Sequence, residues 1–367
     1  MALNQLFING FRNLDKIELQ PLSQGFNFFY GQNGSGKTSF LEAIYFLGHH
    51  RSFKSLNTDY LIRYSSDRFN IFCNIRDQFN QTIPIGVEQL SKGDFRIRIN
   101  GNDISTISEL ATYLPIRLIN VHSHHLLEEG PLFRRKYLDW GIFYQNKEFQ
   151  ATWYRFKRLL KQRNAALKRR ASSNELLSWT EEFVQSALAL HQVRLDYWNQ
   201  LLLYLQAILN KRLSLLFDLS HFSTSYFPGW DQTQSYSDIL TKALPSDLER
   251  GYTRFGPHRA DLSFKINNIL AKEVLSTGQQ KLLVCGMMLA QGAFLAERTN
   301  KQPIYLIDDL PAELDIESRR WLINTLAEQG AQVFVTAVEQ KAMSEILAQV
   351  NSPVKMFHVK QGTITEV

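Results

Sequence analysis

Residues 31–38 read GQNGSGKT. Gly31, Gly36, Lys37 and Thr38 fall at the spacing G-x-x-x-x-G-K-[ST]. Glycines let such a loop curl until its N–H groups, here those of Gln32, Asn33, Gly34, Ser35 and Gly36, point inward at phosphate oxygens. Lys37 adds an ammonium for the β- and γ-phosphates, and Thr38 adds a hydroxyl for Mg²⁺. Far downstream the apolar run Ile304-Tyr305-Leu306-Ile307 ends in Asp308-Asp309. A carboxylate at the C-terminal end of a buried strand lies where ligands gather in open α/β sheets. Asp308 is therefore the expected Mg²⁺ partner, and Asp309 the group expected to polarise an attacking water. A third stretch, LSTGQQK at 275–281, carries neither carboxylate nor histidine. Ser276 is an N-cap candidate for the apolar helix after it. The loop aims a helix N-terminus at an anion through Ser276, Gly278 and Gln279. Standing alone, it would read as a plain capping turn.

These residues need elements to hold them. Phe26–Tyr30 is aromatic-rich and reads as a strand. After the glycine loop, apolar residues at 40, 41, 44 and 47 have helical spacing. Strand, loop and helix is the context a phosphate loop requires. Gln332–Ala337 reads as another buried strand, with Thr336 at its end facing the nucleotide. Glu313 and Asp315 read as acids in the first turn of a helix running on through Leu322. Residues 66–104 alternate, with a hairpin signal at Asn100-Gly101, and predict an antiparallel sheet. Residues 131–216 have helical spacing. The class is α/β. At 367 residues the chain is too long for one core, so two domains, or one with an insertion, are expected.

Composition sets outer bounds. With 44% hydrophobic residues the chain can bury sizeable cores. A net charge of +6 hints at an anionic partner without requiring one. Cys73 and Cys285 lie in apolar runs and read as buried small hydrophobes, with no disulfide framework and no zinc spacing. The start, MALNQLFINGFRN, has no signal-peptide pattern, and no apolar run approaches a membrane span, so a cytoplasmic location is expected.

The order GQNGSGKT, LSTGQQ, IYLIDD, AELD resembles that of the ABC-type ATPases. In that family the signature loop of one subunit caps the nucleotide held by another. The resemblance thus implies a homodimer with two ATP molecules at its interface. FINGFRNL, RRKYLDWG, FKRLLKQRNAALKRR, GPHRADL and VFVTA narrow it to the SMC-like branch, and within that to the RecF family. That resemblance implies an ATPase head with a flanking antiparallel sheet and an inserted compact helical lobe. It places the head at 1–130 plus 250–367 and the lobe at 131–249. It further implies slow, DNA-stimulated hydrolysis of ATP with Mg²⁺, RecR and RecO as partners, and support of RecA loading at gaps. Transporter ATPases carry Glu where Asp309 stands and a switch histidine near Thr336. Both departures suggest a timer rather than a pump.

Between the head segments, residues 155–170 hold eight Lys or Arg and no acid: Arg155, Lys157, Arg158, Lys161, Arg163, Lys168, Arg169 and Arg170. On a helix such a block can neutralise duplex phosphates without reading sequence. Arg51, Arg134, Arg135 and Lys136 would extend that surface. His122, His124 and His125 lack the spacing and carboxylates of a metal site and read as surface or interface groups. In GPHRADL, His258 and Arg259 either reach a phosphate or a partner, or form a structural turn. Rival readings are a non-catalytic ATP-gated DNA-binding module and a P-loop phosphotransferase.

Overall fold

A computed structural model of the chain describes residues 2–64, 66–77, 79–212 and 221–367. The end of the expected helical stretch, 213–216, lies outside them. The chain forms two compact units. One comprises the residues up to Ser123 together with Lys281–Val367, and the other His124–Gln280.

The first unit begins with β1 (Ala2–Phe11), β2 (Leu14–Leu19), β3 (Phe26–Tyr30), β4 (Arg68–Arg76), β5 (Thr82–Leu90), β6 (Phe95–Ile99), β7 (Asn102–Ile104) and β8 (Ile116–Ile119). The second unit contributes β9 (Phe222–Phe227), β10 (Asp261–Ile266) and β11 (Ile269–Leu270). The first unit then resumes with β12 (Ile304–Ile307), β13 (Gln332–Ala337), β14 (Val354–Lys360) and β15 (Thr363–Glu366).

An antiparallel sheet runs β2-β1-β4-β5-β6-β7, as the alternation over 66–104 predicts. Its last hairpin turns at Asn100 and Gly101, both with positive φ (51° and 79°), the geometry that an Asn-Gly pair favours. The second sheet runs β15-β14-β3-β13-β12-β8 and is parallel except for the edge strand β15. Its central strands read as unbroken apolar runs because both faces are covered. The helix Lys37–His49 packs through Phe40 onto Phe29 of β3, ring centroids 4.4 Å apart, and Phe334 of β13 lies against the same pair. Strand order places the chemical groups. β13 lies between β3 and β12, so the ends that carry the glycine loop, Thr336 and Asp308 stand side by side.

The second unit holds the helices Pro131–Gln145, Phe149–Lys168, Ser173–Arg212 and Tyr236–Arg250. It also holds the sheet β11-β10-β9. Its boundaries therefore fall at 123/124 and 280/281 rather than at 130/131 and 249/250. The reason is packing. β10 pairs along its length with β9, and Phe264 of β10 is buried against Trp198. The turn and strand of GPHRADL thus belong to the lobe's core and not to the head. The helix Thr277–Thr299 runs across the second boundary.

Candidate nucleotide and nucleic-acid sites

The glycine loop is held by backbone contacts that a side chain would forbid. Gly31 has φ 156°, and a Cβ there would stand 2.1 Å from the Val359 carbonyl oxygen. The Gly31 N–H donates to Val338 O (3.2 Å), and Asn13 Nδ2 donates to Gly34 O (3.3 Å). Gln32, Asn33 and Gly34 are exposed, whereas Ser35, Gly36 and Lys37 are buried. The helix Lys37–His49 starts at Gly36 with no side-chain cap and no acid in its first turn. Its N–H groups and positive dipole end are left for an anion.

Lys37 Nζ donates to Gly31 O (2.6 Å) and Gln32 O (3.0 Å). Burial holds the Lys37 pKa below its usual value, opposed by the charges of Asp309 and Asp308. Those two carbonyls stand in for the phosphate oxygens that such a buried ammonium would bind. Ser35 Oγ is buried without a hydrogen-bond partner, a second group fitted to an added acceptor or donor. The residues therefore fit a nucleotide phosphate chain.

A candidate cation position lies beside it. Thr38 Oγ1 donates to Asp308 Oδ1 at 3.0 Å, which joins the phosphate-loop hydroxyl to the strand-end carboxylate across 270 residues of sequence. That oxygen pair fits Mg²⁺, a cation that takes one or two protein oxygens beside phosphate. Asp309 lies next in line in a left-handed conformation, φ 49°. Burial raises its pKa, Asp308 adds to the rise and Lys37 opposes it.

Thr336 departs from expectation. It is fully buried, its Oγ1 accepts from the Asp309 N–H (2.8 Å) and donates to Asp308 Oδ1 (2.9 Å). Its one proton and one of its lone pairs are used on the aspartates, so it supports the acidic pair rather than facing a ligand. No signal in the sequence points to this: the strand register that sets Ile307 opposite Val335 brings Thr336 to the aspartates. The acids beyond take separate roles. Glu313 pairs with Lys281 (2.9 Å), while Asp315 caps the helix Ile316–Glu328 by accepting from the Ser318 N–H (2.9 Å). Sequence reading also passed over Glu42, which is fully buried and paired with Arg12 of the β1–β2 turn.

In the second unit, Ser276 caps the helix Thr277–Thr299. Its Oγ accepts from the Gln279 N–H (3.3 Å), and Gln279 Oε1 accepts in return from the Ser276 N–H (2.9 Å). This reciprocal capping box fixes the loop. Ser276, Thr277 and Gly278 remain exposed, and a Cβ at Gly278 would meet nothing within 4 Å.

The basic stretch lies on the helix Phe149–Lys168 and just past its end. Arg155, Lys157, Arg158, Lys161, Lys168, Arg169 and Arg170 are exposed. Arg163 is not, which corrects its assignment to the DNA-facing set. It is buried and donates to Asp247 (3.1 Å) and to Thr253 (2.6 Å). The stretch contains no acid, but the fold brings acids to it: Arg155 pairs with Glu182 and Arg169 with Glu175. Lys157 Nζ lies 4.1 Å from the Trp153 ring centroid. Arg134 and Arg135 turn inward as well. Arg134 pairs with Asp261 (2.6 Å), and Arg135 donates to Ala260 O (2.7 Å).

The turn reading of GPHRADL holds for His258. Its Nε2 donates to Thr253 O (2.9 Å), and burial pushes its pKa down to about 4. His124 stands 3.3 Å from Glu128. Among the described residues no three His, Cys, Asp or Glu cluster as a metal would require, and no helix is long and apolar enough to cross a membrane. Cys73 and Cys285 are both buried, and burial pushes the Cys285 thiol up to about 12.

Residues 2–365 match the RecF/RecN/SMC N-terminal domain family. The chain belongs to that family. Among its relatives, the DNA replication and repair protein RecF of Shewanella pealeana is 41% identical over the whole of both chains. RecF of Glaesserella parasuis is 39% identical over 99% of each. Among solved structures, the recombination mediator protein RecF-ATPrS in the RecFOR pathway aligns with a TM-score of 0.85 at 25% identity, covering 100% of this chain and 98% of the other. An SMC head bound to the C-winged helix domain of ScpA aligns with a TM-score of 0.59 at 16% identity over 100% of this chain and 97% of the other, which speaks for the fold. The architecture is that of the RecF and SMC ATPase heads.

Proposed function

We propose that the chain is a RecF-type ATPase of DNA replication and repair that acts in the cytoplasm. ATP binding closes a homodimer on double-stranded DNA at gaps or single-strand/duplex junctions, and slow hydrolysis reopens it. The observation that carries this reading is the hydrogen bond from Thr38 to Asp308, beside a buried Lys37. It is the arrangement that nucleotide and cation require, and the relatives whose names refer to ATP are full-length matches.

Each residue has a stated task. Gln32 to Gly36 supply N–H donors, and Lys37 exchanges its two carbonyl partners for phosphate oxygens. Thr38 and Asp308 would hold Mg²⁺, which would supply positive charge to offset that of the phosphates. Asp309, with its raised pKa, accepts hydrogen bonds from the attacking water and aligns it. Ser276, Gly278 and Gln279 of the second subunit cap the γ-phosphate from the far side. Duplex DNA lies against the exposed cations of the helix Phe149–Lys168, which contact phosphates and read no sequence. RecR and RecO are the partners that family membership suggests, with RecA loading as the outcome.

The testing experiment is fluorescence anisotropy of a labelled duplex at fixed salt, with and without Mg-ATP. Tight binding only with ATP, and its loss in Ser276→Arg, is the expected result. Equal binding in both conditions would leave an ungated DNA site, and no binding in either would sink the DNA reading. A second reading, gating by ATP without turnover, is separated by Asp309→Asn. That variant traps the closed form if hydrolysis is the release step and changes little otherwise.

A further inference from the structure

Thr336 is the one fully buried hydroxyl among the described residues that bonds to both strand-end aspartates. A threonine hydroxyl has one proton and two lone pairs. The proton goes to Asp308 Oδ1 (2.9 Å), and a lone pair takes the N–H of Asp309 (2.8 Å). Both directions are committed, so the hydroxyl has a single rotameric state. Register explains why this residue does it. Ile307 is opposite Val335, which places Asp308 opposite Thr336 one step later, just past the end of β12, where the Asp308 N–H still bonds to Ile119 O (3.0 Å) and the Asp309 N–H turns to the Thr336 hydroxyl.

This geometry acts on both aspartates. Asp308 Oδ1 receives two hydroxyl protons, from Thr38 and from Thr336. If a cation draws on the Thr38 oxygen at the helix start, the bond from Thr336 on β13 still fixes the carboxylate. Asp309, in turn, sits at φ 49°, a conformation that costs a non-glycine residue energy and persists only when its surroundings hold it. The Thr336 hydroxyl is the side-chain group that grips its N–H.

We propose that Thr336 is a positioning residue of the hydrolytic site: its hydroxyl locks the Asp308–Asp309 backbone so that the second carboxylate stays aligned while the first stays with the cation. The proposal rests on Asp308 being the cation partner and Asp309 the group that aligns water. It separates binding from turnover. Lys37, Thr38 and the loop N–H groups hold nucleotide without Thr336, whereas alignment of Asp309 depends on it.

The test compares Thr336→Val, which keeps the shape and removes the hydroxyl, with Thr336→Ser, which keeps the hydroxyl. Steady-state hydrolysis, Mg-ATP affinity, and amide hydrogen exchange of a peptide covering residues 304–313 are measured on the full chain. In Thr336→Val, kcat falls on the order of 10²-fold, as misalignment of a catalytic group does, while the Kd for Mg-ATP moves by less than about 3-fold. Exchange of the peptide speeds up. In Thr336→Ser all three return close to wild type. Where Thr336→Val does not fold, Thr336→Ala takes its place. Wild-type kcat in the hydroxyl-free variant overturns the proposal, and so does a serine variant as damaged as valine or unchanged exchange. Absence of turnover in the wild type sinks the hydrolysis reading instead. The exchange comparison then decides the grip of Thr336 by itself: faster in valine and normal in serine supports it, equal in all three overturns it.

Discussion

Arg163 and Asp247 form a buried ion pair in the second unit, 3.1 Å apart, with side chains 2% and 0% exposed. Arg163 also donates to Thr253 Oγ1, and Asn164 Oδ1 accepts from the Thr253 N–H and hydroxyl (both 2.8 Å). The network ties the helix Phe149–Lys168 to the helix Tyr236–Arg250, through Asp247, and to the segment after it, through Thr253. Removing Arg163 leaves the fully buried Asp247 with only the part-exposed Arg254 (3.4 Å) to compensate its charge, a loss that approaches the about 3–5 kcal/mol of a broken buried pair. Arg163→Ala should therefore lower the unfolding midpoint by many degrees. Where it stays folded, its DNA affinity should match wild type. Differential scanning calorimetry and the duplex titration together check this, and a stable Arg163→Ala that has lost DNA would return the residue to the binding face.

The exposed cations should behave in the opposite way. Arg158→Glu and Lys161→Glu alter solvated residues and should leave thermal stability within about 0.5 kcal/mol of wild type. Duplex affinity should fall for every sequence alike. The slope of log affinity against log salt should shrink by about 1 for each phosphate contact removed. A salt slope identical to wild type would place the DNA elsewhere.

Ser276 allows stability and function to be separated. Ser276→Ala removes one half of the capping box and should cost about 1 kcal/mol, and it weakens ATP-dependent dimer closure by removing the hydroxyl offered to the γ-phosphate. Ser276→Arg places bulk and charge on an exposed loop. It should leave the unfolding midpoint near that of Ser276→Ala while abolishing the ATP-dependent dimer. Analytical ultracentrifugation with Mg-ATP reads the difference. A Ser276→Arg chain that still dimerises with ATP would remove this loop from the interface.

Acid should destabilise the chain before its carboxylates protonate. Burial pushes His49 down to about 3, His50 to about 4 and His258 to about 4, from the ordinary value of 6.5. These imidazoles stay neutral in the folded chain, whereas the unfolded chain protonates them near 6.5. Between those values the unfolded state binds more protons, so stability is complete above about 6.5 and falls as pH drops toward 4. Unfolding midpoints at pH 7.5, 6.0 and 5.0 should decline in order, with a shallower decline in His258→Gln. An identical decline would show that His258 contributes nothing to it.

Much of the candidate nucleotide site was legible because its chemistry is local. The spacing from Gly31 to Thr38 requires a curled loop at a helix start, and that is what forms. Asp308-Asp309 after a four-residue apolar run could only stand at a strand end. Ser276 with Gln279 three positions on is a capping box readable from residue types alone. The basic stretch was legible as a helix, but not which of its cations face water. Helical spacing puts Arg163 in line with Phe156, Leu159 and Leu167, all buried, and only the partner Asp247, 84 residues away, makes an arginine tolerable there.

The sequence by itself determined the elements and the local chemistry: the phosphate loop, the acidic strand end, the capped loop and a helix dense in positive charge. These arise from backbone geometry and hydrogen bonding over a few residues. Tertiary structure alone decided which distant groups meet. Strand order set β13 between β3 and β12, and so delivered Thr336 to both aspartates. Packing took β10 and the GPHRADL turn into the second unit, turned Arg134 inward to Asp261, and gave Arg155 and Arg169 acidic neighbours their own stretch lacks. Pairing and burial depend on what lies opposite in space, and one-dimensional spacing carries no record of that.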